Sequence, residues 1–207
     1  MNRTFVLVPI AALLTGVSCK DPAADKPKAE TGEAVVQGAA PAGAGLSFSN
    51  DGSTVAFTGS KVTGKHDGVF ETFQGRITLG EGDLTTGQVT VEIDTASVKT
   101  DSPKLDGHLK SPDFFDVDKH PKAVFVSTAI KAGGEGGASH TVTGNLTLHG
   151  VTKSITFPAK IMGDASHVMV NAEFAINRKD FNIVYPGMPD DLIRDDVAMR
   201  LEIHANK

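Results

Sequence analysis

Val168-Met-Val-Asn-Ala-Glu-Phe-Ala-Ile176 is the stretch whose reading decides the fold. Val168, Val170, Ala172, Phe174 and Ile176 fall on every second position, with Asn171 and Glu173 between them. An extended chain points successive side chains to opposite faces, so this period of two gives a strand with one apolar face.

The same period recurs outward in both directions. Val89, Val91 and Ile93 alternate with Thr90, Glu92 and Asp94, and Val142, Leu146 and Leu148 oppose Thr141, Thr143, Asn145 and Thr147. Ile155, Phe157, Ala159 and Ile161 repeat it, and Val197, Met199, Leu201 and Ile203 close the chain. Weaker versions occupy 53–62, 67–79 and 121–131. Glycine-rich breaks at 80–83, 133–137, 149–150 and 163–164 supply the turns. The sum is an all-β domain of eight or so antiparallel strands, which must hide one face in a sandwich or a closed barrel. Only Ser102–Asp116 lacks alternation. There Leu105 and Leu109 share one side of a short helical segment expected near 103–116.

The N-terminal part reads differently. Arg3, the apolar run Phe5–Leu14 and the small residues Thr15–Ser18 follow the order of a secretory signal peptide, expected over residues 1–18. Ten apolar residues rise about 15 Å as a helix, half the thickness of a hydrocarbon core, so the run is too short to span. Cys19, the only cysteine, follows at once and has no partner for a disulfide. The segment resembles a bacterial lipobox, with Gly16 where Leu is usual, which makes Cys19 the expected lipid attachment site, carrying palmitate-type acyl chains. Lys20 stands where the simplest inner-membrane retention signal has Asp. The expected place is therefore the cell envelope, lipid-anchored and facing the periplasm, with the choice of membrane open. Residues 20–45 hold Ala, Pro, Gly and mixed charges, with only Val35 and Val36 as large apolar residues, and read as a flexible linker.

Charge narrows the partners. Without Arg3, 19 basic residues stand against 25 acidic ones, dispersed and with no basic run, which argues against nucleic acid and against adhesion to anionic lipid by charge alone. Motifs for chemistry are scarce. The chain has no Gly-x-Ser-x-Gly, His-Glu-x-x-His, phosphate-binding loop or dinucleotide fingerprint. Its seven histidines show no close pair at ligand spacing, so neither metal nor cofactor is expected. Asp113, Asp116 and Asp118 do not match a calcium loop. Asp190, Asp191, Asp195 and Asp196 read as a solvated turn, with Asp190 capping the run Asp191–Arg194. Asn145-Leu-Thr147 fits a glycosylation sequon but reads as plain strand sequence.

Longer blocks carry a resemblance. Val55–Phe70 is followed by Phe73-Gln-Gly-Arg-Ile77 and by Val91–Thr100. Then comes Leu105-Asp-Gly-His-Leu-Lys-Ser-Pro-Asp-Phe-Phe-Asp-Val-Asp-Lys-His-Pro-Lys-Ala-Val-Phe125, with Val142–Lys153 and Asn177-Arg-Lys-Asp-Phe181 after it. In order and spacing, residues 46–207 resemble the YceI-like family of lipid- and polyisoprenoid-binding proteins. Two positions depart from the family pattern. Leu105 stands where some members have Arg, and Asn182 where many have Gly.

The resemblance implies an eight-stranded antiparallel, lipocalin-like barrel able to hold one elongated ligand. It implies a non-catalytic protein that keeps an isoprenoid or other amphiphilic lipid inside that barrel, for storage or transport. The ligand-binding residues it suggests are Phe57, Phe73, Ile77, Phe125, Leu146, Leu148, Phe157, Phe174 and Phe181, with Phe114 and Phe115 plugging one end. Ordinary core packing is the rival reading for each. Two other functions stay open: an enzyme acting on an amphiphile through His108 with Asp106 or Asp113, and an interaction module whose barrel is filled by its own side chains.

Overall fold

Wherever the period of two runs through the sequence, the backbone is extended. The computed structural model describes residues 20–38, 45–80 and 83–207, so the signal segment and Cys19 lie outside the described residues. Its strands are β1 (Glu30–Glu33), β2 (Gly45–Ser49), β3 (Thr54–Lys61), β4 (Gly64–Phe70), β5 (Phe73–Gly80), β6 (Asp83–Asp94) and β7 (Val98–Thr100). After helix α1 (Pro103–Lys110) come β8 (Lys122–Ala132), β9 (His140–Leu148), β10 (Val151–Gly163), β11 (His167–Asn177), β12 (Gly187–Met188), β13 (Asp191–Leu192) and β14 (Asp196–Asn206).

Two long strands each bend once. β2 and β3 form one wall position, and β4 and β5 the next, paired as Leu46↔Ile77 and Ala56↔Val69. From β5 the wall runs antiparallel through β6, β8, β9, β10, β11 and β14, and β14 returns to β3 at Leu201↔Val55. The result is a closed eight-stranded barrel, which resolves the choice that periodicity leaves open. No helix among the described residues is long and apolar enough to cross a membrane.

The two ends differ. One carries the connection 133–139, with a 3-10 turn at Glu135–Gly137, and the short connection 164–166. The other, the loop end, carries α1, residues 111–121, the turn Arg178–Phe181 and residues 182–195. α1 starts with Pro103, whose missing N–H costs nothing in the first turn, and it stops before Pro112. It is shorter than the expected 103–116 segment, and turns occupy residues 112–115 and 117–119. Asp106, buried on α1, accepts from the Thr100 N–H and hydroxyl, each at 2.6 Å, and from Lys99 Nζ at 2.7 Å, tying the helix to β7.

Residues 20–38 differ most from their reading as a flexible linker. β1 pairs with Lys153–Thr156 of β10, along the part of that strand's edge that β11 leaves unpaired. The Ala29 N–H donates to the Ala175 carbonyl, and the Ala175 N–H donates to the Pro27 carbonyl, both at 2.8 Å. The segment therefore fills a seam where β10 and β11 splay apart. Ala29 is buried in the main core, and Ala23 packs on Ala175 and Ala198. Lys26–Glu173, Lys28–Asp196 and Lys153–Glu33 are ion pairs along its outer side. The segment orders through backbone hydrogen bonds and small alanines rather than a large apolar face, and composition does not register either.

Residues 182–195 bring a second correction. Asp190 does not cap a helical run, because Asp191–Leu192 pairs back on Gly187–Met188 as a hairpin. Asp191 instead takes Lys61 as an ion-pair partner and accepts from the Thr63 hydroxyl at 2.9 Å.

Candidate functional site

The inward faces of the wall strands converge on a cavity of about 120 Å³. β6 gives it Val89, Val91 and Ile93; β8 gives Phe125 and Ile130; β9 gives Val142 and Leu146. β10 adds Ile155, Phe157 and Ile161, β11 adds Val170, Phe174 and Ile176, and β14 adds Met199, Leu201 and Ile203. Phe48, Val55 and Ile77 complete the ring. No charged group, hydroxyl or amide is among these side chains.

Phenylalanine sets the shape of the space. The rings of Phe157 and Phe174 stack at 4.2 Å with 14° between planes, and Phe125 leans on Phe157 at 5.8 Å. Phe125 lies flat on the wall because Gly144 on the adjacent strand has no side chain. A Cβ there would fall 2.4 Å from its Cζ. Phe48 lies over Gly75 in the same way, at 2.1 Å.

Of the residues suggested by resemblance, Ile77, Phe125, Leu146, Phe157 and Phe174 line the cavity. Phe57, Phe73, Phe114, Phe115, Leu148 and Phe181 do not. They belong to the apolar core toward the loop end. There Phe57, Phe70 and Phe115 follow one another at 5.7 Å, and Phe181 is fully buried. Phe114 is buried beside His108 at 4.9 Å and Tyr185 at 5.5 Å. The lining residues missing from the suggested set, including Phe48, Ile130, Ile161 and Met199, carry the same alternation. Phe48 is on a strand of only five residues beside the supposed linker.

The polar groups weighed for catalysis sit elsewhere. His108 Nε2 is 3.0 Å from Asp113 Oδ2, so those two do meet, at a partly exposed position outside the cavity. Asp106 is not part of that pair, being held by Lys99 and Thr100. Hydrogen bonds from these two, Lys99 first, depress its carboxyl to about 2.

Arg178 is buried under residues 182–195 and serves structure. Its guanidinium donates to the carbonyls of Ile183 at 2.7 Å, Arg194 at 3.1 Å and Ile193 at 3.3 Å, and Asp195 Oδ1 is also 3.3 Å away. Burial lowers its pKa, against the pull of Asp195. Asn182 follows at φ 58°, the left-handed conformation that glycine adopts freely and that Asn tolerates.

The fold places together what sequence spacing keeps apart in one further spot. Asp116, His120 and His149 converge at the loop end.

Comparison with known proteins agrees with this architecture. Residues 47–205 match the YceI-like domain. A UPF0312 protein of Pseudomonas putida is 38% identical over 138 residues, covering 64% of this chain and 71% of its own length. Among solved structures, BcnA of Burkholderia cenocepacia superposes with a TM-score of 0.66 at 24% identity, over 76% of this chain and 98% of its own. A polyisoprenoid binding domain from Saccharophagus degradans gives 0.63 at 18% identity, over 80% and 99%. Likeness at these identities is likeness of fold.

Proposed function

This chain belongs to the YceI-like family, and on that premise we propose that it is a membrane-tethered binding protein of the cell envelope. It holds the apolar tail of an isoprenoid or other amphiphile in its barrel, for storage or transport, without altering it. The observation that carries this reading is the cavity, to which all eight wall positions contribute and whose side chains are all apolar. Such a lining solvates a hydrocarbon and offers no group to transfer a proton or attack a bond. Burial of apolar surface, at about 25 cal/mol per Å², supplies the affinity. A solved domain of the same fold is described as polyisoprenoid binding, which supports the ligand class. The signal-like residues 1–18 and the lipobox-like Cys19 support export and anchoring.

Size sets a condition. A dry cavity of roughly 150 Å³ takes one benzene, so about 120 Å³ takes a fragment near one five-carbon unit. A longer tail requires the Phe157–Phe174 stack to turn aside. The same small volume is what a barrel filled by its own side chains would show, and that is the second reading.

One experiment separates the two. The chain is secreted as Cys19→Ser, purified without detergent, extracted, and its extract weighed by mass spectrometry. The stripped protein is then titrated with a short isoprenoid alcohol. A copurifying amphiphile or saturable one-to-one binding is the expected result. Neither occurring, in a folded protein, leaves the filled barrel.

A further inference from the structure

We propose that Asp116, His120 and His149 form a site for one divalent transition-metal ion, zinc by the chemistry of its donors. The proposal rests on the fold and is independent of the lipid reading. One ligand atom from each of the three residues lies within 4.8 Å of the others, with Asp116 buried and both histidines partly so. The imidazole centroids are 5.1 Å apart with the rings at 76°, an edge-to-face contact rather than a stack. Two neutral imidazoles and one carboxylate suit zinc with a water in the fourth place, as three-ligand sites have. Zinc bonds of about 2.0–2.1 Å need ligand atoms roughly 3.3 Å apart in a tetrahedron. Side-chain rotation alone has to supply the closure.

The surroundings prepare the ligands. His149 Nδ1 lies 3.2 Å from the Phe181 carbonyl oxygen, which can only accept, so that nitrogen carries the proton. Nε2 then keeps its lone pair, the arrangement in which a second-shell carbonyl orients a metal-ligating histidine. The His120 ring sits against Gly150. A Cβ at that position would stand 2.5 Å from its Cε1, so glycine is what admits the ring. Lys119 Nζ binds Asp116 Oδ2 at 2.9 Å, leaving Oδ1 for the ion, and the lysine is largely exposed and able to swing away.

The ligands come from two segments of the loop end: residues 111–121 carry Asp116 and His120, whose N–H donates to the Asp116 carbonyl at 2.8 Å, and the β9–β10 turn carries His149. Through Phe181 the site also reaches the turn after β11. A bound ion would staple these segments over the end of the barrel.

The test titrates ZnCl2 by calorimetry into the tag-free chain carrying Cys19→Ser, which removes the lone thiol as a rival ligand. One tight site is expected. His120→Ala and His149→Ala should each weaken it at least about tenfold and abolish the zinc-dependent rise in Tm. A His167→Ala, His204→Ala chain, lacking the other close histidine pair, should bind as before. Zinc affinity unchanged by His120→Ala and His149→Ala, or lost equally in the control, overturns the site. Should those variants fail to fold, Co²⁺ added to the parent protein decides the matter. Intense tetrahedral d–d absorption at one equivalent supports the site, and weak octahedral absorption overturns it.

Discussion

The side-chain amide of Asn145 holds the backbone of Val35 from both sides: Oδ1 accepts from the Val35 N–H at 2.9 Å, and Nδ2 donates to the Val35 carbonyl at 2.7 Å. Asn145 is buried on β9, and Val35 lies just beyond β1. The sequon that contains Asn145 therefore has its amide engaged in the fold. Asn145→Ala removes two hydrogen bonds from a partly desolvated place and should cost about 1–3 kcal/mol. Urea denaturation measures this, and hydrogen exchange should show the Val35 amide and the β1 amides losing protection together. Loss of stability without that loss of protection would contradict the seam-filling role of β1.

Arg178 makes a second local prediction. Replacing it by Ala leaves the carbonyls of Ile183, Ile193 and Arg194 without their donor in the interior, and about 3–5 kcal/mol should be lost. Arg178→Lys should recover only part of this, since an ammonium lacks the planar fork that reaches several acceptors at once. Denaturant midpoints of the three proteins give the order.

Acid behaviour follows from Asp106. Its folded carboxyl titrates at about 2, below the ordinary 3.8, because the ionised form is the one that Lys99 and Thr100 bind. A lowered folded pKa contributes stability that is whole above the unfolded value and is lost as pH falls through the folded one. Asp106→Asn should thus be less stable at neutral pH and lose less between about pH 4 and pH 2. Equal slopes for the two proteins over that window would contradict the assignment.

Asn182 tests the backbone. At φ 58° a β-branched residue meets its own chain, so Asn182→Val should cost about 1–2 kcal/mol, whereas Asn182→Gly should be close to neutral. Thermal unfolding of the two variants beside the parent suffices.

The cavity responds to volume. Phe174→Ala should destabilise the empty protein by about 3–5 kcal/mol while enlarging the space and strengthening uptake of a short apolar probe. Val91→Phe should fill it and weaken uptake without comparable loss of stability. Binding that ignores both changes would place the ligand elsewhere.

The alternation of Val168 to Ile176 and its repeats made the barrel wall legible, since a period of two states which face is buried. Of the residues the resemblance suggested, Ile77, Phe125, Leu146, Phe157 and Phe174 line the cavity. Phe57, Phe73 and Leu148 lie on strands but outside the cavity lining, because periodicity fixes a face but not a height along the barrel axis. β1 was illegible for another reason. Glu-Thr-Gly-Glu has no apolar side chain, and its strand rests on backbone pairing and the Lys153–Glu33 ion pair, neither of which hydrophobic periodicity registers. The approach of His120 to His149 depends on a turn and a loop meeting across 29 positions of chain, which local spacing does not encode.

The seam-filling segment also decides how the molecule bears load. A spacer of 26 residues would be slack, absorbing tension between a lipid on Cys19 and the barrel. Instead the chain meets the barrel at once. Asp21 is 3.5 Å from Arg194, Ala23 packs on Ala175, and the backbone on either side of Lys28 is hydrogen-bonded to Ala175. With Cys19 acylated, a pull from the bilayer would act on the wall between β10 and β11 within ten residues of the lipid. The same few contacts would fix the tilt of the barrel over the membrane, and a strong enough tug would peel open the wall that encloses the cavity.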